Sequence, residues 1–206
     1  MFRRVLLCFV FGWFATLATA ATPPILVLGD SLSAAHGIAV KDGWVSLLTE
    51  RLQAATPPRA VVNASISGET TAGGLARLPQ LLTDHQPALV IVELGANDGL
   101  RGLPLAEARA NLVKILTAVR AAGAHALLVG IELPVNYGPQ YRDGLRSMYR
   151  GLADEFNAPL LPFLLDGVAL DPDLMQDDGL HPNAKAQPKV LDNVWAVLQP
   201  ALRDLR

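Results

Sequence analysis

Five short apolar runs, separated by longer stretches in which apolar residues recur at helical spacing, constrain the fold of this chain more than any other feature. The runs lie at residues 25–28, 60–66, 88–94, 126–133 and 160–165. A strand, a helix and a second strand in succession form a parallel crossover, and such sheets are covered by helices on both faces. The pattern therefore predicts an α/β fold with a five-stranded parallel sheet.

The stretches between the runs predict the helices of this fold. Helical spacing of apolar residues occurs at residues 44–52, 75–82, 105–122, 145–156 and 189–202. Pro79 is expected in the first turns of the second helix, where proline is tolerated, and Gly123 is expected to end the third.

The first twenty residues differ from the rest of the chain. Arg3 and Arg4 precede an almost entirely apolar stretch at residues 5–17, and Ala-Thr-Ala follows at 18–20. This is the pattern of a secretory signal peptide, and the apolar stretch is shorter than the roughly 20 residues of a membrane span. We expect a signal peptide at 1–20 and a single domain at 21–206. Cleavage would remove Cys8, the only cysteine, which excludes a cysteine nucleophile or a disulfide in the mature chain.

Residues suited to chemistry follow the apolar runs. Ser31 comes after the first run, Gly68 after the second and Asn97 after the third, while Asp178 and His181 precede the last helix. In parallel sheets, sites form at the carboxyl ends of the strands, so these residues are expected to meet. Each residue alone is typical of a helix cap or a turn, and the interpretation depends on their joint placement.

Together these residues form the parts of a serine hydrolase. A serine hydroxyl needs a base, and the base needs an orienting group; His181 and Asp178 fit those roles for Ser31. The backbone N–H groups of Ser31 and Gly68 and the side-chain amide of Asn97 would form the oxyanion hole.

The sequence resembles the SGNH (GDSL-type) hydrolases. The resemblance is carried by Gly-Asp-Ser-Leu-Ser at 29–33, Asn-Ala-Ser-Ile-Ser-Gly at 63–68, Gly-Ala-Asn-Asp at 95–98 and Asp-Gly-Leu-His at 178–181. Within that family it is strongest to periplasmic enzymes of Gram-negative bacteria with thioesterase, lysophospholipase and arylesterase activity. It implies a flavodoxin-like three-layer α/β/α sandwich, a Ser31–His181–Asp178 triad, and oxyanion donors at Ser31, Gly68 and Asn97.

The resemblance also bears on substrate and location. It implies a periplasmic enzyme that uses no cofactor and no metal, and that acts on acyl esters, thioesters or lysophospholipids. Substrate contacts are expected from Leu75, Leu78 and Pro134, and residues 70–82 are expected to form a mobile loop over the acyl chain. We also expect a monomer with no stable membrane insertion.

Other functions fit the sequence less well. The formal net charge of −2 and the lack of a basic cluster argue against nucleic-acid binding. Gly68 and Gly73 have phosphate-loop spacing without the lysine that such a loop needs, and Asp177 beside Asp178 has too few neighbouring oxygens for a cation site. His36, expected on the same helix as Ser31, is the rival base, but no carboxylate lies near it in sequence. A carbohydrate O-acetyl esterase and a non-catalytic lipid-binding module remain the alternatives.

Overall fold

The described part of the chain begins after the predicted signal peptide. The computed structural model describes residues 22–203 and residue 205, so the signal peptide predicted at residues 1–20 lies outside it. Among the described residues, no helix combines the length and the apolar character needed to cross a membrane.

Five parallel strands form one sheet, as the sequence predicts. They are β1 (Ile25–Gly29), β2 (Val61–Asn63), β3 (Leu89–Glu93), β4 (His125–Val129) and β5 (Leu160–Leu161). Their order in the sheet is β2-β1-β3-β4-β5, with every neighbouring pair parallel. The chain changes direction across the sheet between β1 and β3, and such a switch point opens a crevice at the carboxyl ends of the two strands.

In the described part of the chain, six α-helices flank the sheet or follow its strands. They are α1 (Trp44–Gln53), α2 (Thr71–His85), α3 (Ala96–Leu100), α4 (Leu105–Ala121), α5 (Pro139–Phe156) and α6 (Gln187–Arg203). Buried residues of α2, α4 and α5 pack on one face of the sheet, and those of α1 and α6 pack on the other. The predicted three-layer α/β/α sandwich is therefore confirmed.

The strands and helices differ from the prediction in places that matter for the site. Strand β4 ends at Val129, and at the next residue, Gly130, a side chain would collide with the backbone of Pro162. Ile131 and Leu133, which follow the end of the strand, line a cavity. The short helix α3 was not predicted.

Residues 70–82, expected to be a mobile loop, belong to a regular helix. Helix α2 begins at Thr71, and the Thr70 side chain caps it by accepting a hydrogen bond from the backbone N–H of Gly73 at 3.3 Å. Pro79 therefore lies in the interior of the helix, and the expectation that it occupies the first turns is wrong.

Candidate active site

Ser31 follows the end of β1 in a tight series of turns. Gly29 at the end of β1 is paired with Glu93 at the end of β3, so the segments after the two strands lie side by side. A side chain at Gly29 would come within 2.8 Å of both Glu93 and Ser33, which explains the need for glycine there. Residues 31–37 form turns rather than the helix expected to carry both Ser31 and His36.

Ser31, His181 and Asp178 form a continuous hydrogen-bonded series. The Nε2 atom of His181 lies 2.9 Å from Oγ of Ser31, and its Nδ1 atom lies 2.6 Å from Oδ2 of Asp178. This arrangement fits the relay of a nucleophilic serine, a base and an orienting carboxylate. The sequence placed these three residues together although 150 positions separate Ser31 from His181.

The turn between Asp178 and His181 fixes the carboxylate. Its Oδ1 atom accepts hydrogen bonds from the backbone N–H groups of Leu180 and His181 at 2.9 and 3.0 Å, which leaves Oδ2 for the ring. Burial alone would raise the pKa of Asp178, but the hydrogen bonds from the His181 ring and from these N–H groups outweigh it and lower the pKa to about 2. The carboxylate is therefore ionised at neutral pH.

The three residues predicted for the oxyanion hole line the same cavity as His181. Gly68 has a φ of +80°, which a glycine adopts without strain, and its carbonyl oxygen accepts a hydrogen bond from Arg101 at 2.8 Å. Among the described residues, the backbone N–H groups of Ser31 and Gly68 donate to no backbone carbonyl. Both are thus available to a substrate oxygen.

A buried carboxylate orients the amide of Asn97. Oδ2 of Asp30 accepts a hydrogen bond from Nδ2 of Asn97 at 3.0 Å, and its Oδ1 accepts one from the backbone N–H of Leu32 at 3.0 Å. Since Nδ2 has two hydrogens, the second remains for a substrate oxygen. The contact between Asp30 and Asn97 was not predicted from the sequence.

Asp30 in turn contacts a second buried carboxyl group, Glu93. Oε2 of Glu93 accepts hydrogen bonds from the backbone N–H of Asp30 at 3.2 Å and from the hydroxyl of Ser33 at 2.7 Å. Burial, reinforced by the neighbouring Asp30, raises the pKa of Glu93 well above its usual range. Burial also raises the pKa of Asp30, to about 6, although its hydrogen bonds and the nearby His181 oppose the rise. Burial therefore disfavours the charged form of both carboxyl groups.

A cavity of about 300 Å³ opens beside Ser31. Its apolar wall is formed by Leu32, Leu100, Ile131, Leu133, Phe163 and Leu165, with Pro134 and Leu180 also in the lining. A larger cleft of about 1170 Å³ lies near Leu89 and His125, at the opposite ends of the strands. It is not lined by Ser31, His181 or Asp178.

The substrate contacts expected from α2 need correction. Pro134 lines the cavity as predicted, but Leu75 and Leu78 do not. Leu78 is fully buried in the core and Leu75 packs against that core, so this apolar face of α2 covers the sheet instead of a substrate. Helical spacing identified the apolar face correctly but not its partner.

The other histidines lie apart from this relay or beside it. His125 is exposed at the start of β4, and His85 ends α2. His36 is exposed on the rim of the cavity, and its ring lies 4.5 Å from that of His181 between centroids. It lines the cavity beside the ring of His181.

Comparison with known proteins identifies similar chains. The family described as GDSL-like Lipase/Acylhydrolase matches residues 27–187. The esterase TesA of Pseudomonas aeruginosa is 50% identical over 183 residues, which cover 89% of this chain and 91% of that protein. The thioesterase 1/protease 1/lysophospholipase L1 of Escherichia coli strain K12 is 48% identical over 192 residues, which cover 93% and 91%.

Solved structures agree with these sequence matches. The psychrotrophic esterase EstA from Pseudoalteromonas sp., in a structure inhibited by monoethylphosphonate, superimposes with a TM-score of 0.84 at 42% identity. The match covers 88% of this chain and 99% of that structure.

Proposed function

Because this chain belongs to the GDSL-like lipase/acylhydrolase family, we propose that it hydrolyses acyl esters and thioesters with Ser31 as nucleophile. The observation that carries the proposal is the series Ser31 Oγ–His181 Nε2 at 2.9 Å and His181 Nδ1–Asp178 Oδ2 at 2.6 Å. The relatives named esterase and thioesterase 1/lysophospholipase L1 support this substrate class.

In the first half of the reaction, Ser31 becomes acylated. Its Oγ attacks the carbonyl carbon of the substrate while its proton moves to Nε2 of His181, and Asp178 favours the resulting charged ring. The carbonyl oxygen becomes an oxyanion that accepts hydrogen bonds from Ser31 N–H, Gly68 N–H and Asn97 Nδ2. Collapse of the intermediate breaks the ester or thioester bond, and His181 gives its proton to the departing alcohol or thiol.

In the second half, water releases the acid. A water molecule transfers a proton to His181 and attacks the acyl carbon, and the same three donors bind the oxyanion. When the bond to Oγ breaks, His181 returns the proton to Ser31. Every proton is thus carried by His181, and the sequence of steps uses no cofactor.

The cavity wall favours an acyl chain over a sugar. Its apolar residues suit a hydrocarbon, whereas a carbohydrate O-acetyl esterase would need polar groups to bind sugar hydroxyls. We therefore place acyl esters and lysophospholipids ahead of acetylated carbohydrates. A chain-length series of p-nitrophenyl esters tests this: a higher kcat/KM for chains longer than acetate is expected, and strict preference for acetate would favour the sugar esterase.

Labelling with a fluorophosphonate probe tests the nucleophile. The wild type should be modified at Ser31, as located by peptide mass spectrometry, and Ser31→Ala should lose both labelling and turnover. Ser147→Ala is the matched control, since Ser147 is exposed on α5 and distant in sequence from every site residue. Retention of a lipid ligand without labelling or turnover of the wild type would instead indicate a binding module.

Export and oligomeric state belong to the same proposal. We propose that residues 1–20 are removed on export and that the mature monomer acts in the periplasm; the apolar segment after Arg3 and Arg4 supports export. The mass of the protein from a periplasmic fraction tests the cleavage, and light scattering during gel filtration tests the monomer. A full-length mass in the cytoplasmic fraction would contradict export.

A further inference from the structure

His36 is a second histidine at the active site that the proposed reaction does not use. Its ring centroid lies 4.5 Å from that of His181, and the two ring planes are inclined by 44°. No step assigned above gives or takes a proton at His36. Two imidazole rings at this distance, next to the Asp178 carboxylate, call for a separate explanation.

The backbone holds His36 firmly beside His181. Its N–H donates to the carbonyl of Ser31 at 3.2 Å, and its own carbonyl accepts a hydrogen bond from Nε2 of Gln176 at 2.8 Å. The same Nε2 donates to the carbonyl of Pro182 at 3.0 Å, so Gln176 ties the turn of His36 to the residue after His181. The backbone that carries the second ring is therefore held by hydrogen bonds to two loops, while the ring itself is free to rotate.

The side chains of His36, Asp178 and His181 have the composition of a transition-metal site. One potential ligand atom from each lies within 4.8 Å of the other two. Two imidazole nitrogens and one carboxylate oxygen suit Zn²⁺, which binds them at about 2.0–2.2 Å, with water in the fourth position. Such a set does not suit Mg²⁺ or Ca²⁺, which prefer oxygen ligands.

Access and geometry are compatible with binding from solution. His36 and Asp178 are both exposed, and only His181 is partly covered. Ligand atoms around tetrahedral Zn²⁺ are about 3.3 Å apart, so the exposed His36 ring has to close in by up to about 1.5 Å. Rotation of an exposed side chain supplies a movement of that size without changing the backbone.

We propose that His36, Asp178 and His181 bind Zn²⁺ or a similar divalent transition metal ion, and that the bound ion inhibits the hydrolase. Coordination at Nε2 of His181 occupies the lone pair that would accept the Ser31 proton. Coordination at Nδ1 places the ring proton on Nε2 and displaces the hydrogen bond to Asp178. In either case His181 cannot act as a base. The inhibition, though not the binding, rests on the proposed function.

Inhibition by ZnCl₂ tests the site in a buffer that does not chelate metal. Hydrolysis of p-nitrophenyl butyrate by the wild type should fall with added ZnCl₂ and recover with EDTA, while MgCl₂ should have no effect. For His36→Gln, with rates normalised to its own metal-free rate, half-inhibition should need about tenfold more ZnCl₂ or higher, as expected for the loss of a ligand. His125→Gln is the matched control and should respond like the wild type.

Direct binding separates this inference from the proposed function. Calorimetric titration of Ser31→Ala with ZnCl₂ needs no turnover and should show one site, weakened about tenfold or more by adding His36→Gln. The inference is overturned if wild type and His36→Gln are equally sensitive to ZnCl₂, or if the two calorimetric affinities agree. Zinc binding by a protein that hydrolyses no ester would contradict the proposed function alone.

Discussion

Replacement of Asn97 by alanine removes one of the three donors proposed for the oxyanion and leaves the nucleophile, base and orienting carboxylate in place. The amide of Asn97 is held by Oδ2 of Asp30 at 3.0 Å, so its remaining hydrogen is directed before a substrate arrives. Loss of one such preorganised donor lowers kcat by about 10²–10³, equivalent to about 2.7–4 kcal/mol of transition-state stabilisation. KM should change little, because the charge on the oxygen develops only in the transition state.

A second substitution at the same position separates charge from size. Asn97→Asp keeps the shape of the side chain but replaces a donor by a carboxylate that faces both the charged Asp30 and the developing oxyanion. Its kcat should be at least as low as that of Asn97→Ala. This order follows from the electrostatic role and would not follow from a packing role, for which the isosteric aspartate should be the milder change.

The assay is the steady-state hydrolysis of p-nitrophenyl butyrate, with the concentration of active enzyme determined by fluorophosphonate labelling. Circular dichroism must show that each variant is folded, since Asn97→Ala leaves the buried Oδ2 of Asp30 without a donor, at a cost of about 1–3 kcal/mol. Asn111→Ala is the matched control: Asn111 is half-buried, donates to Thr71 Oγ1 at 3.1 Å and does not line the cavity. A folded Asn97→Ala protein with less than a tenfold loss in kcat would refute the oxyanion assignment.

Two further predictions concern the groups that support the site. Arg101→Ala should lower kcat by about three- to tenfold at nearly constant KM, because the guanidinium that fixes the Gly68 carbonyl is lost; Arg101→Lys should recover part of the loss, and a change confined to KM would contradict the role. Burial raises the pKa of Asp30 to about 6 and that of Glu93 well above its usual range, so the folded state binds protons more tightly than the unfolded state. The stabilising contribution is complete below about pH 4 and is lost as pH rises through the raised pKa values of the folded state. Glu93→Gln should therefore reduce the fall in Tm between about pH 5 and pH 8, and an unchanged fall would show that folding does not raise the pKa of Glu93.

The sequence was sufficient to predict that Ser31, His181 and Asp178 lie together, because the position of each residue is set by its own strand end or turn. Ser31 and Asn97 each follow a buried strand, and parallel strands bring their carboxyl ends to one edge whatever their separation along the chain. His181 and Asp178 are three residues apart in one turn, so a short loop sets their geometry. For these residues, the predicted order of strands and helices together with the family resemblance was enough to predict that they lie together.

Contacts between distant side chains could not be predicted in the same way. The apolar spacing of Leu75 and Leu78 indicated a buried helix face, but no periodicity says whether that face covers a sheet or a ligand. The exposed side chain of Arg101 donates a hydrogen bond to the carbonyl of Gly68, which lies 33 positions away in sequence. Glu93 did carry a signal, since a carboxylate at the end of an otherwise apolar buried strand needs a partner.

Two carboxylates act on His181. Asp178 belongs to the relay and is exposed, whereas Asp30 is buried. Asp178 contacts the ring directly and stays ionised, since its pKa is about 2. Asp30 is buried with a pKa of about 6, and its charge also favours the positively charged form of the His181 ring. In the proposed mechanism the ring becomes charged when it takes the Ser31 proton, so both carboxylates would stabilise the transition state more than the ground state. Because Asp30 also directs the Asn97 amide, protonation of this one buried group on acidification weakens both the base and the oxyanion hole. Because burial raises the pKa of the neighbouring Glu93 well above its usual range, a second negative charge beside Asp30 is disfavoured.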